Sequence, residues 1–488
     1  MNRPEAQHRD TQQDRDTRRG RDTRQGRRSE GSDGEAPKRG GAGSGTRTIL
    51  IQSLVSLGLK GGGGLVGFLV AVVLGRDLGT AGSGRFFLAL AIVTILASAV
   101  RLGFDQVATR FVAEFDENRD DASVNRLYAQ AMGWAVSVGS ALGLVCAWAS
   151  RWIAAEVFED AAFGEVLGPM ALSLPAVAVV WLHAHFFQGI GDVKLFQAFR
   201  GLAVLVVFLI LVGICLAAIP STVAGVTPAY GWLYLVASWV VAALAHTLWR
   251  RNFAGFRWDR NGWRPGGPWT SALPAFLAIN AATQISQWCP QIILGMFADA
   301  DQVGVFTAAF RVATLGSLIL FGVNSVVFPK FAVLYGRGDI DGLRAVVRSS
   351  TLITAVAALP FFAILVVLPG PILNCFGAEF TAGASILQIA AVGQLVNVAT
   401  GSVGGLLNMS GNERVVLRGI LLGLVIAVGV NLALIPIAGA VGAAVAGSAA
   451  TSGTMLYLTV VCRRRLGFSP VSVVATELRS FITFGRRQ

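Results

Sequence analysis

The sequence predicts an all-α polytopic membrane protein with about 12 transmembrane helices in two six-helix repeats. Three observations carry that prediction: composition, a series of apolar runs of one length, and a repeat at one offset. Of 488 residues, 54% are hydrophobic and 14% charged, and the mean hydropathy is +0.61. That balance lies well outside a soluble domain.

The apolar runs fall at 49–73, 84–104, 128–150, 165–187, 194–219 and 227–249, then at 270–297, 303–327, 348–369, 380–408, 415–437 and 438–462. Each is long enough for a helix to cross a hydrocarbon core of about 30 Å. The first 47 residues are hydrophilic, so the first run is expected to serve as the insertion signal.

Lys and Arg in the connections set the orientation. With the N-terminus inside, 34 of them fall in cytoplasmic tails and loops and two, Arg76 and Arg151, in outer loops. The positive-inside rule then puts both termini in the cytoplasm. Because the charge of +12 sits at this interface, it points to a membrane and not to nucleic acid.

The repeat appears as RFFLALAIVTILASAVRLGFDQVATRFVAEF against VFTAAFRVATLGSLILFGVNSVVFPKFAVLY, pairing Phe86 with Phe306 and Phe111 with Phe331 at an offset of 220. The same offset sets Gln188, Gly191 and Asp192 against Asn408, Gly411 and Asn412. Two distant matches in one register argue for duplication. Six crossings per repeat give both halves one topology, related by an axis along the membrane normal with any site between them. The expected organisation is a low-complexity basic tail (1–47), a six-helix lobe (48–250), a cytoplasmic linker (251–269), a second lobe (270–462) and an amphipathic cytoplasmic tail (463–488).

Five cysteines lack paired spacing, so neither a disulfide frame nor a metal site is expected, and no cofactor is implied. The unusual residues are cations within spans. LKGGGGLVG places Lys60 about eleven residues into the first run, near mid-depth, and Arg311 lies about eight residues, roughly 12 Å, into the eighth. Arg85 and Arg101 bracket the second run, where each can snorkel. Every Asp and Glu lies in a tail, a loop or a span boundary. Lys60 and Arg311 therefore lack intramembrane counter-ions, and an anion-attracting, water-filled cavity is the expected home for them.

Polar residues at helical spacing extend the candidate site. Gln52, Ser56 and Lys60 share one face of the first span; Asn280, Gln284, Gln287 and Gln291 make an amide stripe on the seventh; the tenth adds Gln394 and Asn397. Such amides can bond neighbouring helices or meet sugar hydroxyls, donating and accepting at once. Gly61 to Gly64 fit either close helix packing or a bend in a transporter helix. His183 and His185 read as helix-contact residues.

The two six-span halves, LGRDLGTAGSGRFFLALAIVTIL, GVFTAAFRVATLGSLILFGVNSVVFPKF and NMSGNERVVL resemble the polysaccharide-unit flippases of the multidrug/oligosaccharidyl-lipid/polysaccharide exporter superfamily over residues 48–462. The resemblance implies two lobes forming a V that opens alternately to each side. It also implies a prenyl-diphosphate-linked oligosaccharide as cargo, moved to the outer leaflet for cell-surface polysaccharide assembly. Lipid II flippases of the superfamily carry basic residues in their first, second and eighth spans, the spans of Lys60, Arg101 and Arg311 here. The reading is then a diphosphate held by Lys60, Arg311, Arg101 and Arg85, with sugars met by the amides. Expected partners are membrane lipid and a polysaccharide polymerase or glycosyltransferases, and the chain is expected to act as a monomer in the cytoplasmic membrane.

A scaffold without transport would not need buried unpaired cations. A lipid II-type flippase stays open as an alternative. A multidrug exporter would call for a carboxylate in the membrane, and a membrane enzyme for acid, base or metal groups on an outer loop; neither pattern is present.

Overall fold

The computed structural model describes residues 61–218, 227–258 and 266–470, with the helical backbone of 42–60. The bundle belongs to the larger of two units, Ile49–Gln488. The expected tail features at 1–41 and 471–488 lie outside the described residues.

The chain runs through α1 (Ala42–Val100), α2 (Phe104–Glu117), α3 (Asp121–Glu156), α4 (Ala161–Ala171), α5 (Leu174–Gly189) and α6 (Val193–Gln197). After a π turn at Ala198–Leu202 come α7 (Ala203–Ala218), α8 (Thr227–Asn252), α9 (Leu273–Phe297), α10 (Ala300–Leu315), α11 (Ser317–Gly336) and α12 (Ile340–Val367). The series closes with α13 (Pro369–Leu373), a 3₁₀ turn (Ala378–Gly383), α14 (Ala384–Ala399), α15 (Val403–Met409) and α16 (Glu413–Leu466). Eight of the described helices are long and apolar enough to span a membrane, or nine if the bent pair α4–α5 is one span.

Two of those helices are longer than one crossing. The 54 residues of α16 would reach roughly 81 Å if straight, but Gly439 interrupts it with φ 52° and ψ −132°. The halves fold back on each other: Gly419 meets Leu458, Gly423 meets Thr454, and Gly442 meets the Leu434 backbone. An antiparallel hairpin of two spans results. Gly79 breaks α1 in the same way, with φ 65° and ψ −167°. In both cases a left-handed φ selects glycine.

The duplication has a structural counterpart. A Cβ on Gly84 would lie 1.9 Å from the Ala300 carbonyl oxygen, and one on Gly304 would lie 2.1 Å from that of Thr80. Residues 80 and 300, and 84 and 304, are 220 apart, so the two halves meet through a reciprocal backbone contact. Only a residue with no side chain fits either place.

One expectation needs correcting. The sequence ends the second span at 104 and leaves a loop after it. The structure instead turns at Leu102 (φ 50°) and Gly103 (φ 82°) and resumes helix as α2. Gly103 sits against the Leu273 carbonyl, 2.8 Å from where a Cβ would stand, so the turn brings α2 under α9.

The N-terminal half is keyed by aromatic rings. Tyr128 stacks on Trp249 and meets Phe186 and Phe256 edge-on. Its hydroxyl lies 2.9 Å from His183 Nε2 and 2.7 Å from His246 Nδ1, while His185 Nδ1 lies 3.0 Å from the Thr109 hydroxyl. Both histidines are thus helix-contact residues. Prolines stand inside helices mostly in the C-terminal half, with Pro290 in α9, Pro329 in α11, Pro360 in α12 and Pro436 in α16 against Pro169 in α4 of the N-terminal half.

Candidate functional site

Arg311 on α10 reaches between the two halves. Its Nη1 donates to the Gly67 carbonyl at 3.1 Å, and its guanidinium lies 4.4 Å from the centre of the Phe87 ring. Both partners belong to α1, one on each side of the Gly79 break. A Cβ on residue 67 would stand 3.3 Å from Nη1, so glycine there gives the cation access to the backbone. Among the described residues no carboxylate pairs with Arg311. A carbonyl and a ring face stabilise a guanidinium only in part, and its remaining donors keep their capacity for an anion.

The other cations are placed differently. Arg101 is 2% exposed and pairs with Asp105 at 2.9 Å, four residues on, with the Trp181 ring 4.7 Å from its guanidinium carbon. Its Nη1 has no partner. Arg85 pairs with Asp160 at 2.7 Å on the rim of a pocket of about 590 Å³ that Asp299 and Asp301 also line. The structure therefore does not gather Arg85, Arg101 and Arg311 into one cluster. Lys60, Gln52 and Ser56 have side chains outside the described residues.

The amide stripe divides. Asn280 donates to Asp105 at 3.3 Å, joining α9 to α2 beside the Arg101 pair. Two turns further along, Gln287 lines a cavity of about 350 Å³ with Gln394, Asn397, Thr283, Thr451 and Thr454. Within it, Asn397 donates to Gln394 at 3.2 Å. Gln287 of α9 and Gln394 and Asn397 of α14 thus line one cavity. One helix face cannot serve a single neighbour over three turns, and so Asn280 meets α2 while Gln287 meets the second half's own interior. Gln284 is half-buried and does not line that cavity. Gln291 is buried with its Oε1 unpartnered, as is Oδ1 of Asn431 on α16. Buried acceptors of that kind call for a donor from elsewhere.

Sequence reasoning missed the polar ties at the predicted outer end. The Thr80 hydroxyl donates to Asp301 and, at 3.2 Å, to Glu379. The Gln302 side chain accepts from the Ala440 amide at 3.1 Å, Arg76 donates to the Cys375 carbonyl at 2.8 Å, and the Tyr230 hydroxyl donates to Asp77. These join residues up to 299 positions apart, so no local spacing reveals them. The glycine run is also informative. A Cβ on Gly61 or Gly62 would meet nothing within 4 Å, and on Gly63 and Gly64 only ordinary contacts at 3.7 and 3.4 Å. In this conformation the run serves no close packing, and α1 passes through it unbroken.

Two pseudo-symmetric helical halves, with a buried cation held between them, define a transmembrane transporter class. The chain belongs to the family described as polysaccharide biosynthesis protein, whose family model matches residues 50–334, more than half of its length; a second model, MatE, matches 275–433. In Haloferax volcanii, the probable flippase AglR is 24% identical over 230 residues, covering 46% of this chain and 45% of that protein. The probable low-salt glycan biosynthesis flippase Agl15 from the same organism is 28% identical over 160 residues, covering 33% and 34%. The chain thus spans less than half the length of these curated relatives. Among solved structures, the lipid II flippase MurJ in an inward closed conformation matches with a TM-score of 0.68 at 13% identity, covering 89% of this chain and 91% of that one. An inward-facing MATE family transporter of the MOP superfamily matches with a TM-score of 0.66 at 16% identity, covering 84% and 94%. These likenesses show the fold alone: an all-α membrane bundle of the V-shaped class that those two proteins share.

Proposed function

We propose that the protein is a flippase moving a prenyl-diphosphate-linked oligosaccharide from the inner to the outer leaflet for cell-surface polysaccharide assembly. It acts as a carrier, with both termini cytoplasmic and residues 48–250 and 270–462 as its lobes. The observation that carries this reading is Arg311, a cation between the halves whose polar and aromatic company among the described residues is a carbonyl and a ring. A diphosphate supplies the missing charge, and Lys60, one turn before Gly64 in the chain, is its proposed second contact. The cavity of Gln287, Gln394 and Asn397, with the unpartnered Gln291 oxygen above it, suits sugar hydroxyls. The names of AglR and Agl15 agree with a glycan cargo. Asp105, the buried carboxylate among the described residues, is engaged by Arg101, which disfavours a multidrug exporter of organic cations. Outward movement of the anion gains about 2.3 kcal/mol per charge per 100 mV of inside-negative potential.

The test is binding of a prenyl-diphosphate oligosaccharide to the protein in nanodiscs. Arg311→Gln is expected to weaken binding at least about tenfold, the order of one lost charge-assisted hydrogen bond, and Lys60→Gln to weaken it as well. Binding that is indifferent to both, in folded protein, refutes the diphosphate site.

A further inference from the structure

The second half carries a straight slot that the transport site does not use. Gly322, Val326 and Lys330 on α11 face Ala345, Ser349 and Ile353 on α12 around a cavity of about 570 Å³. Each set steps by four residues, one helix face, and the two helices follow one another in the chain. The slot therefore runs along the helix axes for about eight residues, roughly 12 Å. Its walls are open to the surroundings: Val326 is 49% and Ile353 61% exposed. The nearby hydroxyls are satisfied within their own helix, Ser349 on the Ala345 carbonyl and Ser350 on that of Val347. The walls thus ask for no polar partner. Among the described residues, Lys330, at one end, is the only charged one lining the slot, and no carboxylate pairs with it.

The other end leads to the transport site. One turn before Gly322 on the same face of α11 stands Leu318, which packs on Gly64 of α1 at 3.4 Å from the Cβ position. Gly67, the next turn of α1, carries the Arg311 contact. A single stripe thus runs from a surface lysine, through an apolar slot, to the α1–α11 seam and its buried cation.

We infer that this slot seats the prenyl chain of the lipid-linked substrate, with its phosphate end first met by Lys330 at the predicted cytoplasmic surface. The inference rests on the flippase reading and adds the place where the lipid half rides. A linear apolar chain fits a straight slot with no unmet hydrogen bonds, whereas a glycan would not. The lone cation at the mouth selects an anionic lipid end.

The experiment uses the full chain in nanodiscs and a polyprenyl diphosphate bearing a diazirine in its prenyl chain, with cross-linked peptides read by mass spectrometry. Adducts are expected on 322–330 and 345–353, displaced by unlabelled polyprenyl diphosphate and not by phosphatidylglycerol. Lys330→Gln is expected to lower labelling about fivefold, the order of one surface cation against an anionic lipid. Val326→Trp, at a lipid-exposed position where folding tolerates bulk, is expected to move the adducts out of the slot. Equal displacement by phosphatidylglycerol marks an ordinary crease in the lipid-facing surface and overturns the inference. Adducts scattered over other exposed positions such as Ile437, with Arg311-dependent binding intact, overturn it while leaving the flippase reading standing. Loss of any Arg311 dependence removes both.

Discussion

Replacing Gly84 or Gly304 by alanine tests the reciprocal contact between the halves. Each new Cβ would stand 1.9 or 2.1 Å from a backbone carbonyl oxygen on the other half, and a backbone oxygen cannot rotate away as a side chain can. Restoring van der Waals distance requires a local separation of roughly 1.5 Å. Overpacking of this kind typically costs about 1–3 kcal/mol. A cost of about 2 kcal/mol changes an equilibrium about 30-fold, so the closed arrangement at this end loses ground to the open one by that factor. Pulsed EPR between spin labels at Ala162 and Ala382, exposed sites on the two halves at the predicted outer end, reads the change once the native cysteines are replaced. The distance distribution should lengthen in both variants and by similar amounts, because the contact is symmetric. Gly62→Ala, whose Cβ meets nothing, is the control and should leave that distance unchanged. An unaltered distribution in folded Gly84→Ala and Gly304→Ala protein, or a response from one alone, refutes the reasoning.

Other perturbations follow from the same geometry. Asp105→Asn leaves the buried Arg101 without its counter-charge and should cost about 3–5 kcal/mol; thermal melting should show a clear loss, partly restored by adding Arg101→Gln. Asp120 caps α3 by accepting from the Ser123 amide at 3.1 Å, and Asp120→Ala should cost about 1 kcal/mol. Those Ser123 hydrogen bonds hold the Asp120 carboxyl below its ordinary range. The cap's contribution is therefore full above about pH 4 and fades as pH falls through the lowered value, so melts of wild type and Asp120→Ala should differ by a constant amount at neutral pH and converge in acid. Because Gly61 and Gly62 face open space, alanine at either should favour helix by up to about 1 kcal/mol. If the run bends during transport, the same variants flip cargo more slowly while melting at higher temperature; a lower melting temperature contradicts the open-space geometry.

Much of the fold was legible because bilayer length, charge placement and duplication all act locally or at one fixed offset. The offset of 220 read from Phe86 and Phe306 also relates Thr80 to Ala300 and Gly84 to Gly304, the four residues whose crossed contacts, Gly84 with Ala300 and Gly304 with Thr80, join the halves. The turn at Gly103 was hidden because Leu102, Gly103 and Phe104 close an apolar run without a proline, and it is the close approach of α9, the Leu273 carbonyl foremost, that explains the glycine. For the site, counting carboxylates in the sequence leaves Arg311 without a counter-ion in its span, and among the described residues no carboxylate pairs with it. Arg101 was less transparent. Its partner, Asp105, sits at i+4, a spacing visible in sequence but assigned to the boundary. The division of the amide stripe depends on which helices pack beside α9, and periodicity does not carry that information.

The unequal furnishing of the two halves has a mechanical consequence. Tyr128 couples α3 to α5 and α8 through rings and a shared hydroxyl, which ties these three helices to one another. The prolines of α9, α11, α12 and α16 remove backbone hydrogen bonds within their helices, and those helices can flex individually. Arg311 and the amide cavity both lie on the pliant side. Under the carrier reading, a cargo held there would sit beside helices whose hydrogen-bond ladders prolines interrupt, facing helices tied together through Tyr128.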